Sequence, residues 1–498
     1  MGKSKKIFSG MVWTVIQNVV NILYGLVSVP FLINYFGKEE YGLIGIALSV
    51  NTYVQLLDMG MNNANVKFFA EYLSKGEYDK YQKYFSLTHL LYIVIGLLNT
   101  IILLVVSFYA DSLFKVTPEQ AVTLMHLLWV LAINATFSWI SVCFDQLLRA
   151  EEFIDWIIKR STVLKLLQFV VLAAVLWGHL SIEEYFVGHV FLVTAILPLT
   201  IIKAKKTQPW LKMNFAFDKT TFKTVMPYVL AIFSFGVSQF LASSSRPIFL
   251  GALSGPSSVA EYQVMVTITS VITIFTGAFT QVLLPFATKL AVNNDRDNLK
   301  RVIYQGSKYV NILLILLVFS IIASCTPILR LYVGESFVSI SHWLIVWLLM
   351  LLLSHRNVMT SIVFSQKNLK VVAKMGLIAA TIAILLYCLL IPRYGVGGVV
   401  IGYLAHELIH TLFYYFYYFP KVLLFRTPSF LIKTIIPVWI VAVTIVVLLN
   451  FISTRLQLND FSVIFINVFL FTLIFSVFVW FIYLNKDDKK FLVSLIRR

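Results

Sequence analysis

LLDMGMNNANVKFFAEY, Leu56 to Tyr72, closes an apolar segment long enough to cross a bilayer, yet it carries Asp58 and then Asn62, Asn63 and Asn65. A carboxylate at the centre of a spanning helix costs roughly 2.5–3.5 kcal/mol on the mildest insertion scale. On a helix, positions that alternate by three and four share one face, and Asn51, Gln55, Asp58, Asn62 and Asn65 follow that spacing. The carboxylate therefore belongs to a polar stripe nearly three turns long. Water is the cheapest way to satisfy so many groups at once, so the stripe predicts a wet interior.

Working outward, the whole chain reads as membrane protein. Of 498 residues, 59% are hydrophobic and 13% charged, and the mean hydropathy is +0.86. An ordinary soluble domain holds about a quarter charged residues. Apolar runs of the roughly 20 residues a helix needs to cross the hydrocarbon recur along the entire length. Fourteen spans are expected: 10–33, 42–61, 85–109, 121–144, 163–179, 184–202, 225–250, 260–287, 309–329, 341–364, 375–392, 396–418, 431–451 and 461–484.

The formal charge of +17 gains meaning from its placement. With both termini cytoplasmic, the inward connections and the inner ends of the spans beside them hold 34 of the 40 Lys and Arg, with Lys165, Arg356 and Lys433 just inside spans. The opposite side holds Lys38, Lys115, Arg330, Arg393 and Arg455, and Arg246 falls inside a span. That asymmetry is the positive-inside pattern, so the basic residues report topology and anionic membrane lipids as partners rather than nucleic acid. The first span, behind Lys3, Lys5 and Lys6, is too long for a signal peptide and reads as a retained anchor. Cys143, Cys325 and Cys388 lie in spans without a CxxC pattern and read as packing residues.

The connections are short, which excludes an extramembrane catalytic or nucleotide-binding module, and no G-x-x-x-x-G-K-[ST] loop occurs. Weak self-similarity appears at one long offset. Glu40-Tyr41 matches Glu261-Tyr262, Lys83-Tyr84 matches Lys308-Tyr309, and Tyr185-Phe-Val-Gly188 matches Tyr394-Gly-Val-Gly397. The order holds across six spans, an even number, so both copies enter the membrane in the same direction. Parallel repeats of this kind are a transporter architecture. The expected division is an N-lobe over 1–212, a C-lobe over 213–420, and a terminal helix pair with a basic tail over 421–498.

Further stripes supply candidate cavity residues. The first span aligns Thr14, Gln17, Asn21, Tyr24 and Ser28; the fourth aligns Asn134, Ser138, Ser141, Asp145 and Arg149. In the second half, Gln239, Ser243 and Arg246 precede Pro247, and Gln263, Thr267, Ser270 and Gln281 follow on the next span. A lone Ser or Thr in a span ordinarily bonds a neighbouring helix. Five aligned positions with a charge among them carry more weight.

The motifs Tyr35-Phe-Gly-Lys-Glu-Glu-Tyr-Gly-Leu43, Leu56-Leu-Asp-Met-Gly-Met61 with Ala70-Glu71, Arg246-Pro-Ile-Phe-Leu-Gly251 and Ile391-Pro-Arg-Tyr-Gly-Val-Gly-Gly398 give the chain its resemblance. It resembles the polysaccharide-transporter branch of the MOP superfamily, which includes Wzx-type flippases of lipid-linked oligosaccharides. The resemblance spans essentially the whole chain, terminal helix pair included. It implies two MATE-like six-helix lobes around a cavity that opens alternately inward and outward, in the bacterial cytoplasmic membrane. The implied cargo is a polyprenyl-diphosphate-linked glycan moved from the inner to the outer leaflet, with a glycan polymerase or glycosyltransferases of the same pathway as partners. Where relatives carry an Asp before the arginine of the seventh span, this chain has Ser244 and Ser245, so no coupling role for that acid carries over.

A diphosphate needs fixed positive charge where water screens it poorly, and arginine's planar fork suits it. Arg246 leads the candidates against the alternative that it snorkels to the surface; Arg149 and Arg356 sit nearer the inner ends, where arginine is expected anyway. His406-Glu-Leu-Ile-His410 fits the zinc-protease pattern H-E-x-x-H, but a catalytic zinc needs a third ligand. Downstream the only acids are Asp460, Asp487 and Asp488, in loops or tail, and Asp58 would have to cross from the other lobe. The expectation is therefore no enzyme, no metal and no cofactor, with His406, Glu407 and His410 as proton-coupling candidates and H⁺ or Na⁺ as coupling ion. A MATE-type drug or metabolite antiporter is the alternative within the superfamily.

Overall fold

The computed structural model describes residues 3–58, 61–292, 296–357, 370–423 and 427–490. Among them the chain is helical throughout, with no strand. In order the helices are α1 (Lys3–Phe36), α2 (Lys38–Val54), α3 (Met61–Ser74), α4 (Tyr78–Phe108), α5 (Ala110–Leu113), α6 (Pro118–Ala150), α7 (Ile154–Gly178) and α8 (Ile182–Thr207). They continue as α9 (Lys219–Ser244), α10 (Arg246–Leu253), α11 (Pro256–Val292), α12 (Arg296–Ile322), α13 (Cys325–Val333) and α14 (Ser341–Leu351). The last are α15 (Lys370–Tyr394), α16 (Val396–Leu412), α17 (Thr427–Phe430), α18 (Ile436–Arg455) and α19 (Asp460–Phe478). Eleven helical stretches among the described residues are long and apolar enough to cross a membrane. Helices α2, α7 and α9–α10 occupy the remaining three expected positions.

Local sequence explains where helices begin. Thr117 caps α6 reciprocally with Gln120, with Pro118 at its first position, and Ser181 does the same for α8 with Glu184. Asp218 and Asn459 each accept a backbone N–H at the starts of α9 and α19. Pro247 lies in the first turn of α10, and the helix is interrupted just before it, with α9 ending at Ser244. One expected helix is interrupted: α2 stops at Val54, and Gln55–Asp58 tightens into a 3₁₀ turn before α3. The polar stripe that opens the sequence is thus divided between two helices and a turn, because a 3₁₀ turn advances three residues per turn and shifts the face.

Two compact units emerge, residues 1–264 with 386–399, and 265–385 with 400–498. In the first, α4 and α6 approach closely where Gly96 faces Trp139, and Thr100 bonds Thr136 at 2.9 Å. Lipid is as apolar as leucine, so such small-residue contacts and interhelical hydrogen bonds hold membrane helices together. Phe69, Tyr81, Tyr84, Phe85 and Phe144 fill the core between α3, α4 and α6. In the second unit, buried Asn467 on α19 accepts from Ser453 at 2.7 Å and donates to the Ala323 carbonyl at 2.8 Å. Trp439 donates to Asn311 at 2.9 Å.

Candidate functional site

The Asp58 stripe becomes a knot inside the first unit. Asp58 is 7% exposed; one oxygen accepts from the Tyr92 hydroxyl at 2.7 Å and the other from Asn62. Gln146 on α6 donates to Asn62. Asn65 is fully buried, accepts from Tyr84 at 2.6 Å and donates to Tyr92 at 3.0 Å. Asp58, Asn62 and Asn65 are thus satisfied by protein donors from α4 and α6, where the sequence pointed to water. Asn51 stands nearby, bonded to Asn99 at 3.3 Å, and Gln55 is exposed.

The other candidates separate into three groups. On α1, Gln17 donates to Ser161 at 2.8 Å and Asn21 is exposed. On α6, Asn134 donates to Thr194 at 2.6 Å. Arg160 on α7 sets two nitrogens each 3.0 Å from an Asp145 oxygen, an arrangement suited to a fork of hydrogen bonds. Asp145 is therefore an ion-pair partner, and Arg149, one turn on, remains exposed. The side chains of Asn63, Gln239 and Gln281 lie outside the described part of the structure.

Arg246 does not snorkel. It is 6% exposed, and its Nε donates to the Ala242 carbonyl at 3.0 Å and to the Tyr387 hydroxyl at 3.2 Å; that hydroxyl itself donates to Ala242 at 3.1 Å. The residue opens α10, whose Gly251 lies about 7.5 Å further along the axis at 1.5 Å per residue. Gly251 packs against Ile46 and Phe114, and its carbonyl accepts from Lys115 N–H at 2.9 Å. At the same end, Lys38 pairs with Glu261 at 2.6 Å, and Gln120 donates to Glu39 at 2.5 Å. Gly42 approaches Pro256 so closely that a Cβ there would sit 2.0 Å from its carbonyl oxygen. Together these contacts seal α2 against α10 and the first turn of α11.

In the second unit Arg356 pairs with Glu407 at 2.6 Å and donates to Thr411 at 2.6 Å. His406 Nδ1 lies 3.4 Å from Glu407, and the His406 and His410 rings are 4.5 Å apart between centroids. Glu407 is thus engaged by an arginine, which opposes its use as a metalloprotease base. Among the described residues no group of three His, Cys, Asp or Glu is placed to hold a metal. Neighbouring His355 is buried on the Leu352 carbonyl at 2.7 Å and the Tyr415 hydroxyl.

A residue that the sequence counted only as an inward charge lines a cavity. Lys165 is the twelfth residue of α7, about 16 Å from its start. It borders a cavity of about 210 Å³ with Tyr24, Ser28, Tyr185, His189 and Gln263, the last a candidate from the sequence.

The family model described as polysaccharide biosynthesis protein matches residues 7–291. No curated protein matches the sequence. The chain shares its fold with the lipid II flippase MurJ in an inward closed conformation, at a TM-score of 0.72 and 17% identity over 94% of this chain and 98% of that one. An inward-facing multidrug resistance MATE family transporter of the MOP superfamily aligns at 0.58 and 15% over 80% of this chain and 92% of the other. A MATE in complex with MaL6 aligns at 0.55 and 15%, over 82% and 94%.

Proposed function

Because the chain belongs to the polysaccharide biosynthesis protein family within the MOP superfamily, we propose that it is a flippase that carries a polyprenyl-diphosphate-linked oligosaccharide or polysaccharide repeat unit from the inner to the outer leaflet. Arg246 carries the reading. A cation inside a spanning helix is costly unless something uses it. Here its orientation is fixed by a carbonyl and a hydroxyl. A guanidinium held in place in this way is suited to a diphosphate, the charged part of such a cargo.

Placement supports the cycle as well as the ligand. Under the positive-inside reading, the end bearing Lys38 and Glu261 faces outward. Arg246 then lies one helical turn and a half below a sealed outer end, on the same short helix that makes the seal. Breaking the seal moves α10 and its arginine together, so exposure of the binding charge is tied to opening. In this reading the head group crosses inside while the lipid tail stays in the bilayer.

The test compares Arg246→Ala with Arg246→Lys at matched expression, in cells that need the chain to export glycan. Loss of export in the alanine variant and partial rescue by lysine are expected. Full activity in the alanine variant overturns the role. Drug efflux by the wild type without glycan export favours the antiporter alternative.

A further inference from the structure

The geometry points to the cavity around Lys165 as a second anion site, one that takes a phosphate or diphosphate group. The inference rests on the flippase reading only for the origin of that group; the site itself stands on side chains.

Lys165 lies deep in α7, and its ammonium sits 4.3 Å from the centre of the Tyr24 ring. Lys165 is half-buried, and an ammonium withdrawn from water is ordinarily paired with a carboxylate. Among the described residues none forms an ion pair with Lys165, and no carboxylate borders the cavity. The aromatic face alone leaves three donors of the ammonium without an acceptor.

The rest of the wall offers donors too. Tyr24 lies 3.3 Å from the Tyr185 hydroxyl and 3.4 Å from His189 Nδ1, and the Gln168 amide nitrogen lies 3.0 Å from His189 Nε2. With Gln168 donating to Nε2, the imidazole proton resides on Nδ1 and is donated to Tyr24. The Tyr24 hydroxyl is then left to donate, toward Tyr185 or toward an anion beside Lys165. Ser28 and Gln263 complete the polar lining. About 210 Å³ holds several waters at ~30 Å³ each, or one phosphate-sized anion.

The same residues exclude a cation as occupant. A sodium ion or an organic amine would meet a fixed ammonium and no carboxylate. The site therefore favours anionic cargo over the cationic cargo that an acidic pocket would select.

The experiment uses the full chain in nanodiscs of zwitterionic lipid, with binding followed by tyrosine and tryptophan fluorescence. One arm titrates inorganic pyrophosphate; the other incorporates polyprenyl diphosphate into the disc. Lys165→Met is expected to weaken binding by about ten-fold or more, with Lys165→Arg close to wild type. Tyr24→Phe, which keeps the ring beneath the ammonium, is expected to weaken binding less and serves if the methionine variant fails to fold. Binding of pyrophosphate alone assigns the site to a free ion, and binding of polyprenyl diphosphate alone assigns it to the lipid head group. The proposal is overturned if neither probe binds wild type, or if, with Arg246→Ala present in both chains, Lys165→Met binds as its parent does. Export that survives Lys165→Met while binding falls removes this site from transport, whereas the flippase reading itself stands or falls on Arg246.

Discussion

Asp58 is tolerated in the middle of a spanning bundle because Tyr92 and Asn62 both donate to it. Removing one donor while the carboxylate stays buried exposes the full desolvation cost of that oxygen, about 1–3 kcal/mol. Tyr92→Phe is therefore expected to lower thermal stability in detergent by that amount. Asp58→Asn keeps an acceptor for Tyr92 and removes the charge, so it is expected to cost less. Equal stability of Tyr92→Phe and wild type would show that the carboxylate is served by something else. Helical spacing found Asp58, Asn62 and Asn65 as a group, since a face is a property of one chain segment. It did not find Tyr84, Tyr92 and Gln146, which meet that face only through the rotation of α4 and α6 about their own axes. Lys165 was hidden for another reason: a charge at the inner edge of an expected span counts toward the positive-inside pattern and is not singled out. A one-dimensional hydropathy profile does not show that α7 already began at Ile154.

Among elements, the end of the last spanning helix depends on one buried pair. Lys308 on α12 meets Asp488 at 2.5 Å, with Tyr309 donating to the same carboxylate at 3.0 Å and the Asn485 N–H at 3.2 Å. Burial alone pushes the Asp488 carboxyl up, but the hydrogen bonds from Lys308 and Tyr309 and the lysine charge bring it below its ordinary value. A depressed carboxylate contributes stability that is complete above the unfolded pKa of ~3.9 and is lost as pH falls through the lower folded value. The tether is thus expected to hold unchanged from neutral pH down to about 5 and to release only below about 4. Asp488→Asn breaks it at every pH and leaves the lysine buried alone, a local cost of about 3–5 kcal/mol. Faster protease cleavage just beyond Tyr483 in that variant at pH 7 checks it; unchanged cleavage refutes the tether. Helix starts such as Thr117 and Ser181 were written locally, in residues three apart. The Lys308–Asp488 pair spans 180 residues and carries no local signal.

For the molecule as a transporter, the decisive contact is the seal between α2, α10 and the start of α11. The Lys38–Glu261 pair remains 20% and 16% exposed at its side chains, and an ion pair of that kind contributes at most about 1 kcal/mol. The weight falls on backbone approach: with Pro256 O 2.0 Å from where a Gly42 Cβ would lie, no side chain fits unless α2 moves away. Rigid backbone on both sides makes the contact close to all or none, and alternation between two openings requires such a bistable surface. Gly42→Val is therefore expected to hold this end apart and to stop export while the chain still reaches the membrane. A cysteine at Ile46, buried behind the seal, then becomes reactive toward a membrane-impermeant maleimide added outside intact cells. In the Gly42 background the same cysteine reacts only in molecules that have cycled to the outward opening, so its labelling rate measures how often the seal breaks. Equal labelling in both backgrounds, with export intact, would mean that α2 and α10 do not part during transport, and the alternating opening proposed here would have to be sought at another surface.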